Sequence, residues 1–138
     1  LNPTAELINA DEPPEPPAIV VAIERPENKA KSELYDEIVK TSVEYGIHPD
    51  TALSIAMCES SLRQYDSNGN SLRGIENSND VGVFQINEKY HLEKSRELGY
   101  NINTVEGNVG YAMWLMKKEG TKHWNYSKPC WSPKLAKL

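Results

Sequence analysis

Glu59 is the residue whose position in the sequence most directly suggests chemistry. Ala52, Ile55 and Ala56 precede it at helical spacing, so a helix through this stretch places a carboxyl group on its apolar face. Because an ionised carboxylate is costly to bury, Glu59 either pairs with a cation or has a raised pKa. A protonated carboxyl group in an apolar setting can donate a proton to the oxygen of a glycosidic bond. The other interpretation, a boundary residue that reaches solvent or pairs with Arg63, stays open.

Two separate segments together resemble a known family. Glu-Ser-Ser at Glu59–Ser61, followed by Gly-Val-Phe-Gln-Ile at Gly82–Ile86, is similar to the lysozyme-like superfamily, especially its soluble lytic transglycosylase (SLT) domains. The resemblance continues through Asn108–Leu115 and Trp124–Trp131, as in small bacterial and phage members, and covers about residues 32–131. It implies a mostly helical, α+β lysozyme-like domain in which a small loop or hairpin region forms a substrate groove.

The resemblance implies an enzyme that binds and cuts bacterial peptidoglycan, and it gives roles to individual residues. Glu59 matches the general acid, and Ser60 follows it as in the family's Glu-Ser pattern. Gln85 matches the glutamine that lines the sugar groove. Asn87 lies two residues further on and points the same way if the segment is extended. We therefore expect Ser60, Gln85 and Asn87 to bind substrate.

Asp80 has two interpretations. The run Asp-Val-Gly-Val-Phe-Gln-Ile-Asn at Asp80–Asn87 also resembles animal c-type lysozymes, which implies a second catalytic carboxylate that stabilises an oxocarbenium-like transition state or acts as nucleophile. Many transglycosylases lack this carboxylate and use the acetamido group of the substrate instead. An aspartate shortly before Gly82 is also a good turn residue. The chain lacks the several disulfides of animal lysozymes, which argues against membership of that group.

Tyr111 and Trp124 complete the expected substrate-binding residues. Tyr111 could supply the phenol that family members direct at the acid, or it could simply pack within its helix. Trp124 belongs to the closing segment of the resemblance. Val83 and Phe84 stand where the family usually has Leu-Met, and Trp114 replaces a frequent tyrosine, so the contacts to the sugars differ in detail.

Three functions follow from these residues. The first is non-hydrolytic cleavage of the β-1,4 bond between N-acetylmuramic acid and N-acetylglucosamine, with Glu59 as general acid and base and anhydro-muramyl ends as product. The second is a hydrolytic lysozyme that uses Glu59 with Asp80. The third is a non-catalytic peptidoglycan-binding module, which is disfavoured because a pure binder needs no protonated carboxylate. No cofactor is expected, and peptidoglycan glycan strands are the expected partner of a monomeric protein.

Cys58 and Cys130 allow one intramolecular bridge. Such a bridge would tether the C-terminal tryptophan-rich segment to the helix of Glu59. Two buried free thiols are the alternative, and the sequence leaves both open.

Metal sites are not expected. Asp66–Asn70 has the odd spacing at which an EF-hand calcium loop begins, but Ser71 and Asn77 replace its turn glycine and terminal glutamate. We interpret this stretch as a turn, with a weak calcium site as the alternative. The three histidines are widely separated and show no zinc spacing.

The hydrophobic pattern predicts four helices that position these residues. Between the second and third, residues 64–80 have the composition of a loop, with a short hairpin possible around Asn68–Gly69. The predicted helices cover about 32–46, 49–62, 88–98 and 104–120.

Two tails flank the predicted domain at residues 32–131. Residues 1–31 are rich in Pro and Glu without sustained periodicity, which predicts an extended linker and a domain boundary near Ser32. Within them, the apolar run Ala18–Ile23 could add a strand to the domain. Residues 132–138 are predicted to be a basic C-terminal tail.

Charge and hydropathy argue against nucleic acid as a partner and against membrane insertion. The formal net charge of -5 at pH 7 gives no basis for binding phosphate backbones, so nucleic acid is not expected. No apolar run is long enough to span a bilayer, so membrane insertion is not expected. We expect an extracytoplasmic location (secreted, periplasmic or associated with the cell wall), with any export signal or anchor lying outside the given sequence.

Overall fold

The computed structural model describes residues 26–135, which form a mostly helical fold with one small sheet. The two strands pair antiparallel, with Asp80 opposite Asn87 and Val81 opposite Ile86. The expectation of a mostly helical fold with a small hairpin region is confirmed at this level. No helix within the described range has the length and apolar composition that crossing a membrane requires. The elements, in chain order, are α1 (Pro26–Glu44), α2 (Pro49–Ser60), β1 (Asp80–Val81), β2 (Ile86–Asn87), α3 (Glu88–Glu97), α4 (Val105–Glu119), a 3-10 helix (Lys122–Ser127) and α5 (Lys128–Leu135).

Helix α1 begins at Pro26, ahead of the start that was expected at Ser32. Proline is favoured at the first position of a helix, and Glu27 in the first turn interacts well with the helix dipole. The side chains of residues 27–33 are all exposed, so this part of α1 has no apolar periodicity that a sequence pattern could detect. The linker predicted at residues 1–31 otherwise lies outside the described residues, as does the strand considered at Ala18–Ile23.

The segment after α4 is helical, although no helix was predicted there. Residues 122–135 form the 3-10 helix and α5, so part of the stretch expected to be a basic tail continues α5 to Leu135. Pro129 and Pro133 conceal this helix in the sequence, because proline lacks the backbone N–H that helical hydrogen bonds need. The helix is held by tertiary contacts instead, through buried Trp131 and a disulfide.

Helix α4 is the central element of the core. Residues Gly107–Met113 are buried without interruption, and Thr104 caps the helix by accepting a hydrogen bond from the Gly107 N–H at 3.0 Å. Gly110 lies directly against the ring of Tyr100, where a Cβ atom would clash. Large side chains from the rest of the chain belong to the same core cluster, and each contributes about 1.5 to 3 kcal/mol by its burial. They include Ile38, Ile55, Val81, Val83, Phe84 and Ile102.

Two buried amide side chains fix the turn between β1 and β2. Gln64 accepts a hydrogen bond from the Val83 N–H at 2.9 Å and donates to the Ile102 carbonyl at 3.1 Å. Asn108 of α4 accepts from the Phe84 N–H at 3.0 Å and donates to the carbonyls of Val81 and Ile102, both at 2.9 Å. Because buried backbone groups need partners, these amides replace the ladder that so short a sheet cannot supply.

We expect Asn108→Ala to lower the free energy of unfolding by about 2 to 4 kcal/mol, because it leaves the buried Phe84 N–H without its acceptor. Urea denaturation followed by tryptophan fluorescence measures this change. Asn125→Ala is the matched control, since Asn125 is exposed and its side chain makes no hydrogen bond within residues 26–135. Equal losses in the two variants would contradict the role given to Asn108.

Candidate active site

Two adjoining cavities form one groove across the molecule. One has a volume of about 470 Å³ and the other about 480 Å³. Tyr90, His91, His123 and Trp124 line the first cavity, which we call the aromatic half. Arg63 and Arg73 line the second, which we call the arginine half. The residues common to both halves are Glu59, Glu76, Asn77, Asp80, Gln85 and Tyr126.

A third cavity, of about 610 Å³, shares Arg63 with the arginine half and no other lining residue with the groove. Its lining comes from the beginning of α1, from residues 62–67 and from the beginning of α4. None of the residues predicted to be catalytic or to bind substrate lies there. We therefore take the groove as the candidate active site.

Glu59 lies at the junction of the two halves. It is the penultimate residue of α2, which ends because Ser61 and Leu62 adopt left-handed backbone conformations, with φ of 56° and 61°. The carboxyl group is half-buried, and the Ser127 hydroxyl donates a hydrogen bond to Glu59 Oε2 at 2.5 Å. The Glu59 carboxyl group therefore faces the groove, and its burial and the hydrogen bond from Ser127 hold it in place.

The surroundings of Glu59 raise its pKa above the ordinary value. Burial is the largest cause, because it disfavours the charged form. The hydrogen bond from Ser127 acts in the opposite direction, and the negative charge of Asp80 adds to the increase. Pairing with Arg63 is not observed: among residues 26–135 the structure contains no ion pair between them, and Arg63 Nε donates to the Ser60 carbonyl at 3.0 Å.

Asp80 is held in the groove by the hairpin. It begins β1 opposite Asn87, whose side-chain amide donates a hydrogen bond to Asp80 Oδ1 at 3.0 Å. Burial raises the pKa of Asp80, and the hydrogen bond from Asn87 partly offsets this. The Asp80 N–H also donates to the Asn77 carbonyl at 3.0 Å, so the residue closes a turn as well. The second carboxylate and the turn residue are therefore compatible interpretations of one position.

Gln85 and Asn87 both line the groove. Gln85 has a left-handed backbone with φ of 50°, and its side-chain amide donates to the Gly82 carbonyl at 3.0 Å. Asn87 lies in the aromatic half and also caps α3 by accepting from the Tyr90 N–H at 3.2 Å. Asn87 therefore joins the position of Asp80 to the beginning of a helix.

The hydroxyl groups of Ser60 and Tyr111 are both hydrogen-bonded to other groups of the protein. Ser60 is buried at the arginine half, and its hydroxyl donates to the Ala56 carbonyl and accepts from the Arg63 N–H, both at 3.1 Å, because it terminates α2. Tyr111 lies behind the groove on the core side of α4, and its hydroxyl shares a hydrogen bond of 2.8 Å with His91 Nδ1. Burial raises the pKa of Tyr111 to about 12.

Trp124 borders the aromatic half but is almost completely buried. Its indole N–H donates to the Phe84 carbonyl at 2.9 Å, and the two rings meet edge to face. The polar atom of Trp124 thus attaches the C-terminal segment to the β-hairpin. Little of the Trp124 side chain remains for contact with a ligand.

A histidine pair in the groove was not foreseen. The rings of His91 and His123 lie 5.1 Å apart between centroids, and His123 Nε2 is 3.2 Å from the carboxylate of Glu119. Burial lowers the pKa of His91, and neighbouring His123 lowers it further. The search for zinc spacing could not reveal this pair, because its members come from different helices. Tyr90 and Tyr126, both strongly exposed in the groove, were also not predicted, because no local pattern in the sequence brings them together.

Cys58 and Cys130 form a disulfide with their Cα atoms 6.0 Å apart. Of the two alternatives left by the sequence, the structure contains the bridge. It joins the residue directly before Glu59 to α5, three residues beyond Ser127.

Asp66 forms a turn, in agreement with the interpretation preferred from the sequence. Its Oδ1 atom accepts hydrogen bonds from the N–H groups of Asn68 and Asn70, at 2.8 and 3.0 Å. Tyr65 and Ser71 form an antiparallel bridge on either side, which is the short hairpin that was considered. Within residues 26–135 no three His, Cys, Asp or Glu side chains are grouped so that they could hold a metal ion.

Comparisons of this chain with protein-family models, with curated proteins and with solved structures found no match.

We expect Glu59→Gln to be more stable than the wild type at about pH 8, with a difference that shrinks towards about pH 4. A pKa raised by folding gives stability that is complete below the unfolded-state pKa and is lost as the pH rises through the folded-state pKa. The amide keeps the shape of the side chain and has no charge to desolvate.

Urea unfolding at both pH values measures the difference. Glu93→Gln, at an exposed position of α3, is the control and should show no such dependence. A glutamine variant that is less stable than the wild type at the higher pH would disprove the desolvation argument.

Proposed function

We propose that this protein is a lysozyme-like glycosidase that cleaves the β-1,4 bond between N-acetylmuramic acid and N-acetylglucosamine in peptidoglycan, as a lytic transglycosylase. The observation that carries the proposal is the half-buried Glu59 carboxyl group, with its raised pKa, at the junction of the two halves of an open groove. A polymer can lie across such a groove with its scissile bond over the carboxyl group. A general acid near neutral pH needs this kind of environment.

In the first step, protonated Glu59 donates its proton to the glycosidic oxygen. The bond from C1 of the muramyl residue to that oxygen breaks, and the N-acetylglucosamine unit leaves with a new hydroxyl group. Positive charge develops at C1 and the ring oxygen, as in other glycosidases. The acetamido group of the substrate stabilises this charge in the reaction that we propose.

In the second step, Glu59 acts as the base. Its carboxylate takes the proton from the C6 hydroxyl of the same muramyl residue while the oxygen forms a bond to C1. The product is a 1,6-anhydro ring, and Glu59 is protonated again. One carboxyl group therefore serves as acid and then as base, which requires a pKa close to the working pH.

Hydrolysis is the second candidate, and the position of Asp80 favours it. Asp80 lines both halves of the groove together with Glu59, where a carboxylate could stabilise the transition state or act as nucleophile. The hydrogen bond that Asn87 donates to Asp80 Oδ1 stabilises the carboxylate and makes it a weaker nucleophile. We therefore place the transglycosylase first and give Asp80 a supporting electrostatic role, with its charge helping to keep Glu59 protonated.

We also propose that the protein works outside the cytoplasm. A disulfide between Cys58 and Cys130 is typical of proteins that fold in an oxidising compartment. Peptidoglycan lies in the same part of a bacterial cell. The substrate and the bridge therefore favour the same location.

Mass spectrometry of the products from purified peptidoglycan tests the reaction. We expect the wild type to release anhydro-muramyl ends and Glu59→Gln to release none, because the amide cannot donate the proton. Glu44→Gln, at the exposed end of α1, is the matched control and should cleave like the wild type. Reducing ends that disappear in Glu59→Gln would indicate a hydrolase. No release by the wild type, or full activity of Glu59→Gln, would favour a non-catalytic binding module.

Asp80→Asn separates the two reactions. We expect a loss in kcat of no more than about tenfold, since removal of a group that directly stabilises the transition state costs about a hundredfold or more. The asparagine can still accept the hydrogen bond from Asn87. Initial rates of release of soluble fragments measure the effect, with Asp36→Asn on the exposed side of α1 as control. A hundredfold loss together with reducing ends in the wild type would assign a direct catalytic role to Asp80.

A further inference from the structure

Ser127 lies between two hydrogen-bond acceptors. Its hydroxyl oxygen is 2.5 Å from Glu59 Oε2 and 3.2 Å from the backbone carbonyl oxygen of Trp124. A hydroxyl group has one hydrogen and two lone pairs, so it can donate a hydrogen bond to one group while it accepts a hydrogen bond from another. We propose that Ser127 is a positioning residue that keeps the Glu59 carboxyl group hydrogen-bonded in both of its protonation states.

The two states use the same three groups in opposite directions. When Glu59 is ionised, the Ser127 hydroxyl donates to its carboxylate. When Glu59 is protonated, the carboxylic acid donates to Ser127, whose hydrogen then points to the Trp124 carbonyl. No heavy atom has to move between the states, so the carboxyl group keeps its orientation when it changes from acid to base.

The surrounding structure holds Ser127 at this place. The indole N–H of Trp124 donates to the Phe84 carbonyl at 2.9 Å, and that of Trp131 donates to the Trp124 carbonyl at 3.1 Å. Both tryptophans are buried. The disulfide then ties the neighbour of Glu59 to α5, which starts directly after Ser127. The buried Trp124 before Ser127 and the disulfide of Cys130 after it therefore hold the Ser127 hydroxyl at a fixed position beside Glu59.

The hydroxyl opposes the effect of burial on the acid. Burial and Asp80 raise the pKa of Glu59, and Ser127 lowers it by stabilising the carboxylate. Without the hydroxyl, Glu59 would remain protonated to a higher pH and would be a weaker acid in the first step. The other titratable and charged groups that face Glu59 across the groove come from the loop before β1, from α3 and from the C-terminal segment, and Ser127→Ala leaves them in place. They are Arg63, Arg73, Glu76, Tyr90, His91, His123 and Tyr126.

Titration of the Glu59 carboxyl carbon by ¹³C NMR tests the proposal without substrate. The signal is identified by its absence in Glu59→Gln. We expect a higher pKa of Glu59 in Ser127→Ala and a value close to that of the wild type in Ser127→Thr, which restores the hydroxyl. Ser132→Ala changes a serine of α5 that contacts neither Glu59 nor the groove and should leave the titration unchanged.

A pKa of Glu59 that is the same in Ser127→Ala and in the wild type would overturn the proposal, as would a shift of equal size in Ser132→Ala. Near-ultraviolet circular dichroism establishes that each variant is folded. If Ser127→Ala does not fold, Ser127→Gly removes the same hydroxyl and is titrated in its place.

The dependence of kcat/KM on pH tests the catalytic consequence, which rests on the proposed function. We expect the alkaline limb in Ser127→Ala to lie at a pH higher by about half a unit or more, the effect of losing a hydrogen bond to a charged group. We also expect kcat to fall by roughly tenfold through loss of orientation, and Ser127→Thr to recover most of it. An unchanged alkaline limb would show that Ser127 has only a structural role.

The two measurements fail independently. If no variant and no wild type cleaves peptidoglycan, the proposed function is wrong, while the NMR titration still decides whether Ser127 controls the protonation of Glu59. If the wild type cleaves and the titrations of the variants coincide, the proposed function stands and the role of Ser127 is wrong.

Discussion

Glu59 places a carboxyl group between the hydrophobic core and an open groove, and this partial removal from water disfavours its charged form. The cost falls on the stability of the fold at neutral pH, because the ionised group is better solvated in the unfolded chain. The hydrogen bond from the Ser127 hydroxyl replaces part of the interaction with water that the Glu59 carboxylate loses on folding. The balance between desolvation and this hydrogen bond sets the pKa of Glu59. The elements that surround the groove determine both contributions.

The wall of the groove is an irregular segment that the core makes rigid. Only two residue pairs of the hairpin are joined as strands, and Gln85 adopts a left-handed backbone that non-glycine residues seldom use. Such backbone strain persists where the surrounding structure fixes it, and it is frequent at functional sites. Here the buried amides of Gln64 and Asn108 provide that support, so the positions of Asp80 and Gln85 depend on side chains of the core.

Local sequence patterns were enough to predict some residues of the groove. The others are positioned by contacts between distant segments, which the sequence does not show. Glu59 could be found because its apolar neighbours lie on the same turns of α2, and Gln85 because its run of residues is continuous in the chain. Ser127 and His91 gave no comparable signal, since their partners lie on other elements and the side-chain directions are decided by packing. Tyr111 illustrates the same limit, because spacing placed it on α4 and could not say that its hydroxyl faces His91.

The same separation in sequence places a condition on how the site forms. Glu59 and Ser127 are 68 residues apart, so the acid acquires its final surroundings only when the C-terminal segment packs against α2. Closing so long a loop loses chain entropy before the contacts between the two segments can stabilise the fold. Until then Glu59 is a solvated glutamate with no reason for a raised pKa. The disulfide lowers that entropic cost by tying the two segments together beside the acid itself. The acidity of Glu59 is therefore a property of the complete fold, and the C-terminal helices belong to the site as much as α2 does.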